Sequence, residues 1–91
     1  MAVYVISYDL RAPGRNYEGL YTELHRIDAV RALESVWFLS VNQGAIALRE
    51  ALLSYMDKND GLMVIEITND ADWAIARVSA VSTNWLLRNR P

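Results

Sequence analysis

The sequence contains no cysteine, and this absence excludes several kinds of site at once. There is no disulfide framework, no thiolate nucleophile and no cysteine-ligated zinc site. Histidine is also scarce, because His25 is the only one. It lies beside the apolar stripe of a predicted helix, so we expect a solvated or partly buried side chain rather than a catalytic base or a metal ligand. The sequence has no glycine-rich phosphate loop and no HExxH, GxSxG or calcium-loop pattern.

Basic residues are fewer than acidic residues. Nine lysine and arginine residues face eleven aspartate and glutamate residues, which gives a formal net charge of -2. This balance argues against a generally basic surface for nucleic acid, so any phosphate binding has to be local. Because Lys58 is the only lysine, almost all of the basic residues are arginine. Arginine suits bidentate contacts to phosphate or carboxylate, and it equally suits salt bridges at an interface.

Long apolar runs are also missing. The first apolar stretch is interrupted by Asp9 and Arg11, and no basic region precedes it, so we expect neither a signal peptide nor a membrane span. A cytoplasmic protein with no membrane partner is the expectation. With 91 residues the chain is one domain, residues 1–91, and it is too short for a deep core on both sides of a sheet. A partner subunit that buries additional apolar surface is therefore consistent with this size.

The first half of the chain predicts a strand, a helix and two short strands. Residues 2–9 are rich in valine, isoleucine and tyrosine and predict a strand, which a Pro-Gly pair then breaks. Asn16 is the predicted N-cap of a helix with helical apolar spacing that ends near Asp28. Residues 29–41 are extended, with a predicted bend at 32–34 that makes two paired strands.

The second half predicts a helix, a strand and a less regular C-terminal segment. Asn42 is the predicted cap of the second helix, which leads to a turn over 58–61. Residues 62–68 predict a strand. Residues 73–77 are interpreted as a short edge strand, and Ser79 as the cap of a last short helix.

This order of elements is the ferredoxin-like βαββαβ arrangement, an α+β sandwich with an antiparallel sheet, here followed by a short C-terminal helix. Both faces of its strands are apolar: in the first strand Val3 and Val5 alternate with Tyr4 and Ile6. Two helices on one face cannot cover both. The second face must therefore be buried by the C-terminal segment 70–91, by another subunit, or by both, and a face-to-face homodimer is the economical hypothesis.

Three short stretches carry a family resemblance: "VYVISYDL" with its terminal Tyr8-Asp9 pair, "RALESVW" at 31–37 and "DGLMVIEI" at 60–67. They resemble the CRISPR-associated protein 2 family, the small dimeric ferredoxin-like subunits of the spacer-acquisition complex. Within that group the chain is most similar to the SinR-like small proteins of bacteria and their phages. The VapD toxin ribonucleases are similar more distantly. The resemblance covers roughly residues 2–68.

The resemblance implies a site. In that family the aspartate of the Tyr-Asp pair lies near the dimer axis and is proposed to bind a divalent metal with its symmetry mate. Carried over, this makes Tyr8 and Asp9 the candidate catalytic residues and Asp9 the ligand of Mg²⁺ or Mn²⁺. Arg31, and more loosely Arg11 and Arg15, become the candidate phosphate-binding residues. The implied activity is metal-dependent hydrolysis of RNA or DNA, and the implied partners are a second copy, nucleic acid or a CRISPR-type complex.

Other interpretations stay open. Asp9 could instead begin the turn "DLRAPG" by accepting backbone N–H bonds, a common use of aspartate at strand ends. The family often ends with a strand that crosses to the other subunit, whereas the end of this chain predicts a helix. The alternatives to a nuclease are a non-catalytic dimeric scaffold or nucleic-acid adaptor, and a protein-binding regulator of mobile-element origin.

The remaining carboxylates are interpreted as structural. Glu66 falls inside a predicted strand, where it is expected to meet an arginine or the dimer interface. Four aspartates fall at turns, where solvated side chains are expected: Asp57, Asp60, Asp70 and Asp72.

Overall fold

The computed structural model describes residues 1–91 as a four-stranded antiparallel sheet with three helices, an α+β architecture. The strand order is β2-β3-β1-β4, and every neighbouring pair is antiparallel. None of the helices is both long enough and apolar enough to cross a membrane. In chain order the elements are β1 (Ala2–Asp9), α1 (Glu18–Arg26), β2 (Val30–Leu33), β3 (Val36–Val41), α2 (Ala45–Leu53), β4 (Gly61–Glu66) and α3 (Ala80–Asn89).

Local sequence signals set the ends of α1. Asn16 accepts the backbone N–H of Glu18 through Oδ1 at 2.9 Å, but the cap position itself is Tyr17, one residue later than predicted. At the other end Asp28 has a positive φ of 60°, and the N–H of Ala29 reaches back to the carbonyl of Leu24 at 2.9 Å. A residue in the left-handed conformation, followed by a backbone bond back to the last turn, is a common end of a helix. Aspartate tolerates the left-handed conformation better than most residues.

Most predicted elements are confirmed, and two further predictions are wrong. The first strand, the pair of strands after the first helix and the Ser79 cap are confirmed; the Ser79 side chain accepts the N–H of Ser82 at 3.1 Å. Asn42 is not the cap of α2, because Gly44 takes that position without a side-chain bond. Residues 73–77 form no strand. Their apolar side chains pack down onto the sheet instead, and the chain turns at Arg77 with a φ of 60°.

The main core lies between the first face of the sheet and helices α1 and α2. It is filled by alternate residues of the two central strands, which point to the same face. These residues are at most 7 % exposed, so the central strands lie at the buried centre of the fold. The buried members from the sheet are Tyr4, Ile6, Tyr8, Trp37 and Leu39, and those from the helices are Leu20, Leu24, Leu48 and Leu52.

The C-terminal segment covers part of the second face. Leu86 of α3 packs on Phe38 and Ala32, and the Trp85 ring stacks on Phe38 with centroids 6.0 Å apart. The carbonyl of Arg90 accepts the indole N–H of Trp73 at 2.7 Å, which joins the start of the segment to the end of α3. The segment therefore buries the β2–β3 half of this face.

The β4 side of the second face remains open. Met63 is 56 % exposed and Ile65 is 52 % exposed, and both belong to the face that carries Ser7 and Asp9. We refer to these four residues as the open strip.

Candidate functional site

The predicted site residues lie at the end of the sheet where β1 ends and the β2–β3 turn begins. An open cleft of about 320 Å³ at this end is lined by Tyr8, Asp9 and Arg31. Four further residues complete its wall, and none of them was predicted: Leu10, Tyr21, Glu34 and Ser35. The structure thus brings three of the five predicted residues to one cleft.

Tyr8 forms the floor of the cleft, and its hydroxyl is fully engaged. It accepts the indole N–H of Trp37 at 3.0 Å and donates to the carbonyl of Glu34 at 3.2 Å. Burial raises the pKa of the Tyr8 hydroxyl, and the bond from Trp37 only partly opposes that rise. The hydroxyl is therefore neutral over the physiological pH range.

Asp9 is an exposed carboxylate with a cationic neighbour. Its side chain is 70 % exposed, and its Oδ2 accepts Nε–H of Arg11 at 2.9 Å. The turn bonds considered for Asp9 are absent, because the backbone N–H of Arg11 donates to Asp60 instead, at 2.6 Å. Arg11 reaches Asp9 by crossing Gly61, where an added Cβ would lie 3.0 Å from its Nη2. A glycine at the start of β4 thus makes room for the ion pair.

Arg31 is held against aromatic rings on the other side of the cleft. Its guanidinium carbon lies 5.0 Å from the ring centre of Tyr21 and 5.2 Å from that of Trp37, within cation–π range. Both Nε and Nη2 donate to the carbonyl of Glu34. Nη1 has no partner within the chain, so it is the donor that Arg31 can offer to a ligand in the cleft.

Arg11 and Arg15 lie outside this cleft. Arg11 lines a smaller cleft of about 190 Å³ on the other side of Asp9 and also donates to the carbonyl of Asn59 at 3.2 Å. Arg15 lines neither cleft; its Nη1 lies 3.7 Å from Oδ1 of Asp57. Asp9 is therefore flanked by Arg31 and Arg11, and Arg15 belongs to the loop packing.

Asp60 is a structural centre that the sequence did not reveal. Its carboxylate accepts the N–H of Arg11, the N–H of Asp57 at 2.8 Å and the hydroxyl of Tyr17 at 2.8 Å. Burial alone would raise the pKa of Asp60, but these three bonds lower it by more, so the net pKa is below its ordinary value. The expectation of a solvated loop carboxylate is wrong here, because Asp60 joins the loop after β1 to the turn before β4.

The metal-ligand set within one chain is small. No three histidine, cysteine or acidic side chains lie close enough together to hold a metal ion. Asp9 alone offers one carboxylate, and a guanidinium already occupies part of it. Mg²⁺ is ordinarily held by several oxygen ligands, so one chain by itself does not fit the implied metal.

His25 takes no part in the cleft. It is exposed and its ring meets the edge of Trp37 at a centroid distance of 5.3 Å. This agrees with the expected solvated or partly buried side chain.

A search with models of known protein families finds none that matches the chain.

Proposed function

We propose that this protein is a metal-dependent endonuclease that hydrolyses phosphodiester bonds of RNA or DNA and acts as a homodimer. The observation that carries the proposal is that Asp9 and Arg31 line one open cleft, on elements fixed by the main core. A carboxylate and a guanidinium are complementary groups for this reaction, since one can bind a hard cation and the other a phosphate.

The fold supports the same proposal. The element order βαββαβ and the sheet order β2-β3-β1-β4 are those expected of a ferredoxin-like domain. Together with the "VYVISYDL", "RALESVW" and "DGLMVIEI" stretches, they favour membership of the CRISPR-associated protein 2 superfamily, near its SinR-like members. We include in the proposal the cytoplasmic location expected from the sequence.

A second copy is needed to complete the metal site. The open strip leaves Asp9 accessible on the second face, so a twofold contact there would supply a second Asp9 carboxylate. Mg²⁺ or Mn²⁺ bound between them would activate water and neutralise charge on the phosphoryl oxygens. In this arrangement Nη1 of Arg31 orients the phosphate, and Arg11 is released from Asp9.

Cleavage assays of Asp9→Asn test the proposal. Labelled single- and double-stranded RNA and DNA are incubated with wild type or variant in Mg²⁺, Mn²⁺ or EDTA. We expect metal-dependent cleavage by the wild type and a loss on the order of 100-fold in the variant, because a direct metal ligand is removed. Asp72→Asn, an exposed loop carboxylate, is the matched control and should cleave normally. Equal cleavage by wild type and Asp9→Asn would overturn the assignment of the site.

The second candidate is a non-catalytic dimeric scaffold or nucleic-acid adaptor. The ion pair between Asp9 and Arg11 at 2.9 Å favours it, since the pair keeps the carboxylate engaged without a metal. This function predicts that the purified protein binds labelled nucleic acid in EDTA and does not cut it in Mg²⁺ or Mn²⁺. The Asp9→Asn variant should bind the nucleic acid as well as the wild type does.

A further inference from the structure

The outer edge of β4 is an open strand edge. The N–H of Ile67 donates to the carbonyl of Val3 at 2.7 Å, which continues the β1–β4 ladder. Because antiparallel bonds alternate between the two sides of a strand, the backbone N–H and C=O groups of Leu62, Val64 and Glu66 point away from β1. No other part of the chain bonds to these groups.

The opposite edge of the sheet is closed. Ser79 donates its hydroxyl to the carbonyl of Arg31 at 2.8 Å and its N–H to the carbonyl of Ala32 at 3.3 Å. The register of β2 is also irregular between Arg31 and Leu33. A short, irregular and covered edge resists the addition of another strand, whereas β4 pairs regularly along its whole length and has no such protection.

An apolar groove runs beside the open edge. It has a volume of about 290 Å³ and lies between the first turns of α2 and residues 62–65 of β4. Ile46 on its wall is 70 % exposed. Ile46, Arg49 and Leu53 are spaced by three and four residues, so they share the outer side of α2. This side of the helix continues the groove away from the sheet.

We propose that this edge is a self-association surface, at which two copies join by antiparallel pairing of β4 with β4 about a twofold axis. Only the outward-pointing residues can exchange backbone bonds. The register that uses all of them pairs Val64 with its own counterpart and Leu62 with Glu66 of the partner subunit. The result is one sheet that continues through both copies, with the outer sides of the two α2 helices facing each other.

Charge complementarity favours a second copy as the occupant. Helix α2 leads through the turn 54–60 into β4, so the two run in opposite directions and Arg49 lines the groove together with Leu62. Since Leu62 opposes the partner's Glu66, that carboxylate reaches Arg49, and the twofold axis makes the pair twice. Glu66 forms no salt bridge within the chain, and the only ion pair of Arg49 is with its neighbour Glu50, at 2.9 Å.

This edge contact is independent of the proposed nuclease site. Asp9 pairs with Gly61 at the start of β4, whereas the twofold axis passes through Val64. The two Asp9 side chains therefore lie apart, on opposite sides of the axis. Met63 and Ile65 border both contacts, but Ser7 belongs only to the open strip and Arg49 only to the β4 edge. Variants at Ser7 and Arg49 therefore test the two contacts separately.

Charge reversal and its rescue test the edge contact. The dimer dissociation constant of the full chain is measured by sedimentation equilibrium for wild type, Arg49→Glu, Glu66→Arg and the double variant. Each single reversal is expected to weaken the dimer by about tenfold or more, because two attractions become two repulsions. The double reversal should return the constant to within about threefold of wild type, since the paired charges are restored. Asp72→Arg, which makes the same charge change at an exposed residue outside the groove, should leave it unchanged.

Amide hydrogen exchange adds a backbone readout that does not depend on a variant folding. The amides of Leu62, Val64 and Glu66 should become protected as protein concentration rises, while that of Met63, which faces β1, is protected at every concentration. A chain that stays monomeric, or a dimer that keeps its affinity in both single reversals, would overturn the proposal. A dimer lost only in Ser7→Arg would also overturn it, and would identify the open strip as the interface.

Discussion

The indole N–H of Trp37 donates to the hydroxyl oxygen of Tyr8 at 3.0 Å, and that hydroxyl in turn donates a hydrogen bond to the carbonyl of Glu34. The same carbonyl accepts two bonds from the guanidinium of Arg31. A buried core residue is thereby linked to the cationic wall of the cleft. The position of Arg31 depends on this chain of bonds and on the aromatic rings beneath it.

Tyr8→Phe tests whether Tyr8 holds the cleft in place or reacts. The variant leaves the Trp37 N–H buried without an acceptor, so we expect a loss of about 1–3 kcal/mol in the free energy of unfolding, measured with urea. Cleavage per folded molecule should fall less than tenfold, because the hydroxyl is already engaged. The control is Tyr4→Phe, because the Tyr4 hydroxyl donates to the backbone carbonyl of the exposed residue Gln43 at 2.9 Å. This variant should lose less unfolding free energy than Tyr8→Phe. A loss of cleavage as large as that of Asp9→Asn would instead make Tyr8 a catalytic residue.

Asp60→Asn should destabilise the protein at neutral pH by about 1–2 kcal/mol. The amide has one acceptor oxygen where the carboxylate has two, so the bonds from Arg11, Asp57 and Tyr17 cannot all be kept. The free energy of unfolding is compared with that of Asp72→Asn, which should differ little from wild type. If the two variants are equally stable, Asp60 does not join the two loops in solution.

The effect of Asp60 should also depend on pH in a defined direction. The folded pKa of Asp60 lies below the ordinary value of 3.8, so the unfolded chain takes up the proton more readily than the folded one. The stabilisation is therefore complete well above pH 3.8 and is lost as the pH falls through the lower folded pKa. The difference in unfolding free energy between wild type and Asp60→Asn should shrink over this acidic range. A difference that grows there would contradict the sign of the shift.

Much of the fold could be predicted because its signals are local. The strand 2–9, the bend between β2 and β3 and the Ser79 cap each depend on neighbouring residues. The segment 73–77 was misassigned because its apolar alternation serves to cover the second face, a tertiary role that periodicity cannot separate from strand pairing. The same pattern fits both structures.

The candidate site was only partly predictable. The Tyr8-Asp9 pair sits at a strand end, so its place at the edge of the sheet follows from the sequence. The contacts of Asp60 with Arg11 and Tyr17 join residues more than forty positions apart, so no local sequence pattern predicts them. Only the bond from the N–H of Asp57 joins Asp60 to a residue close in sequence, so it is the one contact of Asp60 that a turn pattern could indicate. The stacking of Arg31 on Tyr21 likewise needs the sheet and helix to be packed first.

Arg31→Lys should impair phosphate binding although the charge is kept. Lysine cannot donate twice to the Glu34 carbonyl and stack at once, so its ammonium is no longer fixed at the cleft. We expect about tenfold weaker binding of a labelled oligonucleotide by Arg31→Lys, measured by fluorescence anisotropy at fixed salt. Arg88→Lys, on the exposed surface of α3, should bind as wild type does. Equal binding by both variants would remove Arg31 from the phosphate site.

Ser79→Ala should both loosen α3 and uncover an edge of the sheet. The side chain accepts the N–H of Ser82 and donates to the carbonyl of Arg31, so its loss should cost about 1 kcal/mol of folding free energy. Ser54→Ala also removes a serine hydroxyl, which bonds to Ala51 at the end of α2, but it uncovers no strand. Only Ser79→Ala should show faster aggregation on heating, followed by light scattering, because the Arg31 carbonyl on the β2 edge has lost its partner.

Leu86 and Leu87 provide a matched pair for the cover on the second face. Leu86 is 2 % exposed and packs against Phe38, whereas Leu87 is 51 % exposed one position further along α3. Leu86→Ala should lower the free energy of unfolding by about 2–5 kcal/mol through the cavity that it leaves. Leu87→Ala makes the same chemical change and should stay within about 0.5 kcal/mol of wild type. If the two variants are equally stable, α3 does not pack on the sheet in solution, and the whole second face is free for another subunit.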